Sequence, residues 1–346
     1  MPGIGIIGYG YWGPNLARAI VEVDAMALRA VADFSVPALE RAGRRHPSAR
    51  LLTDWRDLIA DPSIDAVAIA TPVSTHFDIA LAALKAGKHV LVEKPMTDSV
   101  FQAARLVEEA ARRSRILMVD HTFIYTGAVR SIRDLIDAGK LGDIYYYDSI
   151  RINLGLFQRD VNVIWDLAVH DFAILDFLVT SKPLAISASA AAFLRDRPEN
   201  MAHLSVYYDN GAMAHLNVNW MAPVKVRQTL IGGSQRMVIY DDMQTSEKVK
   251  IYDRGVDLDG ADRNAGKSLR EQLISYRMGE MWAPAISPKE ALQTEIEEFL
   301  HCIDTGKNPS SDGESGLRVV EMLAAASRST TLRGQPMELG DLRNAS

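Results

Sequence analysis

Cysteine is almost missing from this sequence, because Cys302 is the single thiol among 346 residues. One thiol excludes a disulfide within the chain and any zinc site that is built on several cysteines. The HExxH pattern of many zinc enzymes is absent as well. We therefore expect no metal site, and acid–base chemistry in this chain has to use side chains such as lysine or histidine.

Excess basic charge and long apolar runs are also missing. The chain carries 38 lysines and arginines against 44 aspartates and glutamates, which gives a formal net charge of −6. A general affinity for nucleic acid needs a basic face, so we exclude nucleic acid as a partner. The sequence begins MPGIGIIGYG, without a basic leader, and no apolar run is long enough to span a bilayer. We expect a cytoplasmic protein without a membrane partner.

What the first 120 residues do contain is an alternation of short apolar runs and alanine-rich stretches with helical spacing. Runs rich in valine and isoleucine are typical of strands buried in a parallel sheet. The apolar runs are Ile4–Ile7, Leu28–Ala32, Ala66–Ala70, Val90–Val92 and Ile116–Val119. The helical stretches are Asn15–Val23, Pro37–Arg44, Ser74–Ala86 and Ser99–Arg113. This order predicts right-handed strand–helix–strand units and an α/β domain with helices on both faces of its sheet.

The pattern changes beyond residue 123, where one helix at Ala128–Ala138 precedes longer runs of β-forming residues. These runs are Ile144–Ile152, Ile186–Leu194, His203–Tyr208, Met213–Trp220, Lys225–Ile231 and Met237–Tyr240. Turn sequences such as Asp209-Asn210-Gly211 separate several of them, which predicts antiparallel hairpins. We interpret the polar residues 242–288 as a long surface excursion. Two helices, Pro288–Asp304 and Glu314–Arg328, are predicted to close the chain.

Gly8, Gly10 and Gly13 form a GxGxxG motif between the first predicted strand and the first predicted helix. The first glycine permits the tight turn, the second lets the backbone approach a pyrophosphate, and the third lets helix and strand pack closely. Tyr11 and Trp12 lie within the motif, where the free N–H groups of the helix start face the phosphates. The motif predicts a dinucleotide site.

Asp33 follows Gly13 by twenty positions, at the end of the second predicted strand. A carboxylate at this place accepts hydrogen bonds from the adenosine ribose and repels a 2′-phosphate, which favours NAD over NADP. Arg41, Arg44 and Arg45 follow closely and leave NADP open. The alternative is a glycine-rich turn with a helix-capping aspartate.

Lys94 is the first candidate for acid–base chemistry. The apolar run His89–Val92 stops at Glu93-Lys94-Pro95, which places the lysine at the sheet edge where open α/β folds bind ligands. Glu93 can hold the ammonium group or contact the cofactor ribose. The alternative is an ion pair on the surface of a loop.

Asp166 and His170 are the second candidate, within the sequence WDLAVHD. Residues four apart lie on the same face of a helix, so the carboxylate and the imidazole are expected to converge. Together they can bind adjacent hydroxyl groups of a sugar and relay a proton. The alternative is a helix-capping aspartate and a hydrogen-bonded core histidine.

With these motifs in this order, the chain closely resembles the Gfo/Idh/MocA family, the group of glucose–fructose oxidoreductase and inositol dehydrogenase. The resemblance implies a Rossmann domain over residues 1–122. It also implies a substrate-binding domain over residues 123–346, with an open, mostly antiparallel sheet whose outer face makes a homodimer or homotetramer. The chain ending, from Glu297–Ile303 to Gly316–Ser327, is similar to the family too.

The resemblance also assigns roles to single residues. Lys94 matches the catalytic or substrate-orienting lysine of the family, and Asp166 and His170 match its substrate-binding pair, in which the histidine often transfers the proton. Glu93 and His121 fall where family members contact cofactor or substrate. Ala70-Thr71-Pro72 followed by His76 is similar to the family's loop beneath the nicotinamide, which implies that Thr71, Pro72 and His76 contact the cofactor.

Some residues depart from the common family pattern and affect the expected substrate. Asp160-Val161-Asn162 and Ala168 stand where many relatives have glycine. With Asn153–Gln158 before it, this stretch resembles the branch of sugar-nucleotide and surface-polysaccharide pathways, which implies a nucleotide-sugar substrate. Candidate contacts to its diphosphate are Arg151, Arg159, Arg195 and Arg197. The alternative for each arginine is a solvated surface charge.

We therefore expect an NAD(P)-dependent oxidoreductase that transfers hydride between nicotinamide and a secondary alcohol or ketone of a sugar or nucleotide sugar. Lys94 and His170 are its expected acid–base groups. A non-catalytic NAD-binding sensor or partner subunit is one alternative, because a fold does not guarantee activity. A family dehydrogenase that acts on a non-carbohydrate substrate is the other.

Overall fold

The amino-terminal part of the chain forms a six-stranded parallel sheet with the order β3-β2-β1-β4-β5-β6. The structure is a computed structural model that describes residues 1–155, 161–194, 196–257 and 275–340. The strands are β1 Gly3–Ile7, β2 Ala27–Ala32, β3 Arg50–Leu52, β4 Ala66–Ile69, β5 His89–Glu93 and β6 Leu117–Asp120. Their order changes direction between β1 and β4, and dinucleotides bind across the crevice at such a point.

Five helices cover the two faces of this sheet. They are α1 Gly13–Val21, α2 Val36–Arg45, α3 Trp55–Ala60, α4 His76–Lys85 and α5 Val100–Arg113. Strands β1, β4 and β6 are buried along their whole length, which explains why all their residues except Asp120 are apolar or glycine. Each buried aliphatic side chain contributes about 1.5–3 kcal/mol relative to exposure. The predicted α/β domain is therefore confirmed.

The sequence prediction missed β3 and α3, which follow each other at the edge of the sheet. β3 has only three residues, of which Arg50 and Leu51 are exposed. α3 has only six residues, and its aspartate cap, Asp54, accepts a hydrogen bond from the Arg56 backbone. Neither element is long enough to show a clear hydrophobic period.

The carboxyl-terminal part forms a nine-stranded sheet with the order β14-β13-β12-β11-β7-β10-β9-β8-β15. The first five strands along the chain are β7 Ile144–Leu154, β8 Pro183–Ala191, β9 Met201–Tyr208, β10 Met213–Asn219 and β11 Met221–Gly233. The others are β12 Met237–Asp241, β13 Val249–Asp257, β14 Ser275–Trp282 and β15 Met337–Glu338. Within this sheet β10 and β7 are parallel and the other paired strands are antiparallel, which confirms the predicted architecture.

The interpretation of residues 242–288 as a surface excursion was wrong for part of that range. Strands β13 and β14 lie within it and pair with each other at the edge of the nine-stranded sheet. Burial alternates at the start of β13, where Val249 and Ile251 are buried and the residues between and after them are partly exposed. The polar character of the stretch hid this strand pattern.

Among the described residues, four helices accompany the second sheet: α6 Gly127–Asp137, α7 Val169–Leu178, α8 Ala291–Thr305 and α9 Gly313–Thr331. α9 packs on β8 and α7, and also on α5 and β6 of the parallel sheet. The Val119 backbone N–H donates to the Ser311 carbonyl at 2.9 Å, just before α9. The division of the chain after residue 122 stays a prediction. None of the helices in the described ranges is long and apolar enough to cross a membrane.

Candidate active site

The glycine-rich loop has the geometry that a pyrophosphate requires. Gly8 adopts a positive φ of +94°, and a Cβ there would lie 2.6 Å from the Ala70 carbonyl oxygen. A Cβ at Gly13 would lie 2.2 Å from the Gly8 carbonyl oxygen, which explains the close packing of α1 on β1. In front of Gly10 the space is open. Phosphate oxygens can therefore come close to the backbone N–H groups at the start of α1, which can donate hydrogen bonds to them.

A cavity of about 330 Å³ adjoins this loop on the β1–β2–β3 half of the crevice. Asp33 lines it, and its Oδ2 and Oδ1 accept the backbone N–H groups of Tyr9 at 2.6 Å and Ser35 at 2.8 Å. Phe34 and Arg41 also line the cavity. The fixed carboxylate, the apolar surface and the open glycine backbone fit the adenosine half of NAD.

The two aromatic residues of the motif differ in their surroundings. The Tyr11 side chain is 87% exposed. Trp12, at the start of α1, is half-buried, and its Nε1–H donates to Asp120 Oδ2 at 2.7 Å. A direct cofactor contact of either side chain stays a prediction, while Trp12 ties the glycine-rich loop to the end of β6.

The loops after β4 and β5 are joined by His76. Its Nε2 lies 2.8 Å from the Thr71 carbonyl oxygen and its Nδ1 lies 3.0 Å from the Pro95 carbonyl oxygen. Burial lowers the pKa of His76, while the Thr71 and Pro95 carbonyls oppose that shift. Thr71 and Pro72 border the cavity described above. His76 thus holds the backbone of two loops, and its predicted contact with the cofactor itself stays a prediction.

Lys94 lies inside the cleft and not in bulk solvent. Its Nζ is 3.4 Å from Asp166 Oδ1 and 3.2 Å from the Asp166 carbonyl oxygen, and both side chains are only about a fifth exposed. The Trp220 indole, which is buried, donates to Asp166 Oδ2 at 3.1 Å. The carboxylate is thereby held in place and fixes the ammonium group at the carboxyl edge of the parallel sheet.

Asp166 and His170 come from consecutive helical segments. A π-helical turn, Ile164–Ala168, carries Asp166 and continues directly into α7, whose second residue is His170. Asn162 begins the turn, since its side-chain oxygen accepts the backbone N–H groups of Ile164 and Trp165, both at 3.1 Å. π-helical turns are rare and occur often at functional sites.

His170 is half-buried and packs edge-on against Phe123, with the ring centroids 4.9 Å apart. Within the described residues its Nδ1 is buried without a hydrogen-bond partner. Burial lowers the pKa of His170 well below 6.5, and the positive charges of Lys94 and Arg151 lower it further. The imidazole is therefore neutral near pH 7.

His121 lies next to the same group. The side chain is 3% exposed, and neither ring nitrogen has a hydrogen-bond partner in the part of the chain that the structure describes. Burial lowers the pKa of His121 to about 4, with a smaller contribution from the charge of Lys94. The structure therefore brings Lys94, Asp166, His170 and His121 into one group, and the role of each stays a prediction.

Arg151 is buried, so it is not the solvated surface charge that was the alternative for this residue. It is buried on β7, where its Nε donates to Asp171 Oδ2 at 2.8 Å. Its guanidinium lies 4.6 Å from the centroid of the Phe123 ring, and Arg227 on the neighbouring strand lies 5.3 Å from the same centroid. Arg151 thus stacks on Phe123, which in turn packs against His170. Substrate contact by Arg151 stays a prediction.

The other three arginine candidates give less information. Arg159 and Arg195 lie outside the described residues. Arg197 is half-buried in the loop between β8 and β9.

Two buried acids near the cofactor loop were missed from the sequence. Asp120 ends β6 opposite Glu93 of β5, and Glu295 reaches toward Asp120 from α8. Asp120 and Glu295 are 2% and 0% exposed. Asp120 was recognisable because, like Glu93, it follows an apolar run. Glu295 lies three residues after Leu292 and four before Phe299, on the apolar face of its helix.

Comparisons with known proteins agree with this geometry. A family model described as "Oxidoreductase family, NAD-binding Rossmann fold" matches residues 3–121. A second, described as "GFO/IDH/MocA C-terminal domain", matches residues 129–240.

Two named relatives are similar over nearly their whole length. UDP-N-acetylglucosamine 3-dehydrogenase from Acidithiobacillus ferrooxidans is 29% identical over 331 residues, which is 93% of this chain and 94% of that protein. Myo-inositol 2-dehydrogenase from Thermotoga maritima is 22% identical and covers 94% and 95%. A solved structure of the Acidithiobacillus ferrooxidans enzyme gives a TM-score of 0.80 at 25% identity, with 95% and 98% of the two chains covered.

Proposed function

The chain belongs to the Gfo/Idh/MocA family of NAD-dependent oxidoreductases, and from this premise we propose that it oxidises or reduces a sugar or nucleotide sugar. Family membership confirms the resemblance and the expected class of dehydrogenase. The observation that supports the proposed site best is the Lys94 ammonium, held against Asp166 at the carboxyl edge of the parallel sheet. The neutral imidazole of His170 stands beside it.

The residues present fit the cofactor. Gly8, Gly10 and Gly13 would hold the pyrophosphate, Asp33 the adenosine ribose, and the loops after β4 and β5 the nicotinamide half. When bound, NAD supplies the acceptor or donor of hydride. Every proton that moves must be handled by the protein's own groups.

Lys94 is proposed to orient the reacting oxygen of the substrate. An ammonium group that is fixed by Asp166 donates a hydrogen bond and favours the negative charge that develops on an alcohol oxygen as it loses its proton. In the cationic form it has no lone pair with which to accept that proton. Asp166, held by Trp220, keeps one side of the ammonium occupied and leaves the rest for substrate.

His170 is proposed to accept the hydroxyl proton during oxidation. Because burial and nearby positive charges keep this imidazole neutral, it has a free lone pair at neutral pH, where an ordinary histidine is partly protonated. In the reverse direction the protonated ring returns the proton to the ketone oxygen. This assignment separates the two candidate acid–base groups by their charge.

A nucleotide sugar is the substrate class that we propose, with a free sugar or inositol as the alternative. The relative with the higher identity of the two described above acts, by its name, on UDP-N-acetylglucosamine, and the other acts on myo-inositol. Both substrates carry secondary alcohols, and Lys94 together with Asp166 provides the donor and acceptor that adjacent hydroxyls need.

The proposed function is tested with a panel of UDP-N-acetylglucosamine, myo-inositol and glucose, by following the absorbance of reduced nicotinamide. Lys94→Ala should lower kcat by about 10²–10³-fold, a range typical of a donor that stabilises developing negative charge, while NAD still binds in titration calorimetry. Lys85→Ala, on the exposed end of α4, is the matched control. Unchanged turnover of Lys94→Ala would contradict the mechanism. Intact NAD binding without turnover of any substrate would favour the non-catalytic sensor.

A further inference from the structure

Three carboxyl groups meet at the nicotinamide half of the crevice, and we call Glu93, Asp120 and Glu295 the carboxyl cluster. Glu93 and Asp120 are directly opposite each other at the ends of β5 and β6, so their side chains leave the sheet on the same side. Glu295 comes from α8, which packs on α1. In a sheet of this strand order, β4, β5 and β6 carry the second mononucleotide of a bound dinucleotide.

Within the described residues none of these three carboxyl groups forms an ion pair with a lysine, arginine or histidine. Asp120 accepts hydrogen bonds from the Trp12 indole and the Thr122 hydroxyl, and Glu93 accepts the Lys94 backbone N–H at 3.0 Å. The nearest side-chain cation, Lys94, is bound to Asp166 instead. The cluster is therefore stabilised by neutral donors, which do not cancel three negative charges.

Glu295 supplies a second, independent indication that the cluster holds a proton. Its side chain is completely buried, and within the described residues neither carboxyl oxygen has a hydrogen-bond partner of good geometry. The Thr122 hydroxyl, which donates to Asp120, is a nearby donor that opposes the rise in the pKa of Glu295. The group beside it is the Asp120 carboxyl. Two carboxyl groups in contact can form a hydrogen bond only when one of them is protonated. A proton between Glu295 and Asp120 would satisfy both groups.

We propose that Glu295 is a positioning residue that shares a proton with Asp120 and Glu93, and that binding of oxidised NAD releases this proton. The oxidised nicotinamide ring is positively charged, and the reduced ring is neutral. A positive ring at the ends of β4–β6 favours ionised carboxylates in the cluster. Through Asp120, the charge state of the cluster acts on Trp12 and hence on the glycine-rich loop. The inference takes NAD as the cofactor and does not depend on the substrate.

The groups that face the cluster agree with a proton stored at neutral pH. Burial, followed by the charge of Asp120, raises the pKa of Glu93 and the pKa of Glu295 well above 4.5. Lys94 opposes this shift at Glu93. The remaining titratable neighbours are His121, after β6, and Tyr125, whose hydroxyl donates to or accepts from Ser311 at 2.8 Å. No group of three or more acids, histidines or cysteines among the described residues has metal-binding geometry.

The experiment counts the protons released on cofactor binding, without any substrate. Binding of NAD⁺ and of NADH is measured by titration calorimetry at neutral pH in two buffers that differ in ionisation enthalpy. We expect wild-type protein to release a measurable fraction of a proton with NAD⁺ and clearly less with NADH. Glu295→Gln, which keeps the shape of the side chain, should reduce the release with NAD⁺ toward the NADH value. Glu297→Gln, a change at a half-exposed position of the same helix, should behave as wild type.

The pH dependence of NAD⁺ affinity gives a second readout. Proton release predicts that wild type binds NAD⁺ more tightly as pH rises, by up to about tenfold per pH unit for one proton, whereas Glu295→Gln shows a flatter dependence. Equal release with NAD⁺ and NADH, or full release retained in Glu295→Gln, would overturn the proposal. If Glu295→Gln does not fold, the proton release of the wild-type protein still tests the proposal, because release with NAD⁺ must exceed release with NADH. Because no substrate is present, failure here leaves the proposed reaction standing.

Discussion

Two groups of ionisable residues occupy the same crevice, and they differ in whether opposite charges are paired. The Lys94–Asp166 pair balances an ammonium with a carboxylate at 3.4 Å, beside the neutral His170. The carboxyl cluster brings together three acids without a paired cation in the described part of the chain. The first arrangement places opposite charges side by side, and the second, as proposed, reduces its charge by sharing a proton.

The two groups share a strand end, because each takes one of two adjacent residues there. Glu93 and Lys94 are neighbours in sequence at the end of β5, and consecutive side chains of an extended chain point in opposite directions. One residue joins the acids of β6 and α8, while the next reaches Asp166 of the second part of the chain. A single strand end thus serves both the cofactor side and the substrate side of the crevice.

The largest expected effect comes from removing the neutral base beside the paired group. His170→Asn should lower kcat for sugar oxidation by about 10²–10⁴-fold, because the other neutral imidazole near Lys94, His121, is only 3% exposed while His170 is half-buried. His215→Asn, on an exposed part of β10, is the matched control. Steady-state kinetics with the best substrate of the panel provide the measurement. A fall in kcat of less than threefold would show that His170 does not transfer the proton.

The pH profile of the wild-type enzyme sharpens the same prediction. The pKa of His170 is lowered in the folded protein, so the ring stays neutral while the pH falls past 6.5. The acid limb of kcat/KM for oxidation should therefore have its midpoint below 6.5, and the limb should vanish in His170→Asn.

Asp166→Asn removes the carboxylate that pairs with Lys94, so that the ammonium is left without an anionic partner, just as the carboxyl cluster has no paired cation among the described residues. The ammonium of Lys94 then loses its carboxylate while Trp220 loses a charged acceptor. We expect kcat/KM to fall by about 10–100-fold, since orientation of Lys94 is weakened while the amine itself remains. NAD affinity, measured by titration calorimetry, should change little. Asp137→Asn, which breaks an ion pair on the surface of α6, is the control. Loss of NAD binding in Asp166→Asn would show that the pair serves the cofactor and not the substrate.

The two groups also differ in how well the sequence predicts them. Lys94 was found because an apolar run ends abruptly before it, and Asp166 and His170 were found because their spacing fits one helix face. Asp120 gave the same kind of signal as Glu93 but was not used. Glu295 lies on the apolar face of α8, yet Glu297 and Glu298 beside it make the helix look evenly acidic. A contact between β6 and α8, 175 positions apart (295 − 120), leaves no local trace in the sequence.

The same limit explains the fold. Fully buried strands such as β1 and β4 are apparent because every residue in them is apolar or glycine. Strands β3 and β13 lie at or near sheet edges, where half or more of the side chains need no apolar character, and both were missed. Arg151 was interpreted from its charge as a candidate diphosphate contact, with a solvated surface charge as the alternative. Its burial beside Asp171 could not be predicted locally, because that partner is supplied by another element. Local patterns therefore predicted elements and motifs, and tertiary pairing decided what each charge contacts.

The smallest expected effect is on stability, and it tests whether the carboxyl cluster really differs from the paired group. A folded-state pKa of Glu295 above the unfolded 4.5 means that its contribution is fully present below about pH 4.5 and is lost as pH rises through the folded value. Glu295→Gln cannot ionise, so relative to wild type it should gain about 1–2 kcal/mol of unfolding free energy between about pH 5 and about pH 9. Urea unfolding at both pH values measures this gain. The half-exposed Glu297→Gln should stay within about 0.5 kcal/mol of wild type at each pH. A pH-independent difference between Glu295→Gln and wild type would show that Glu295 is ionised throughout this range, and the carboxyl cluster would then store no proton at Glu295.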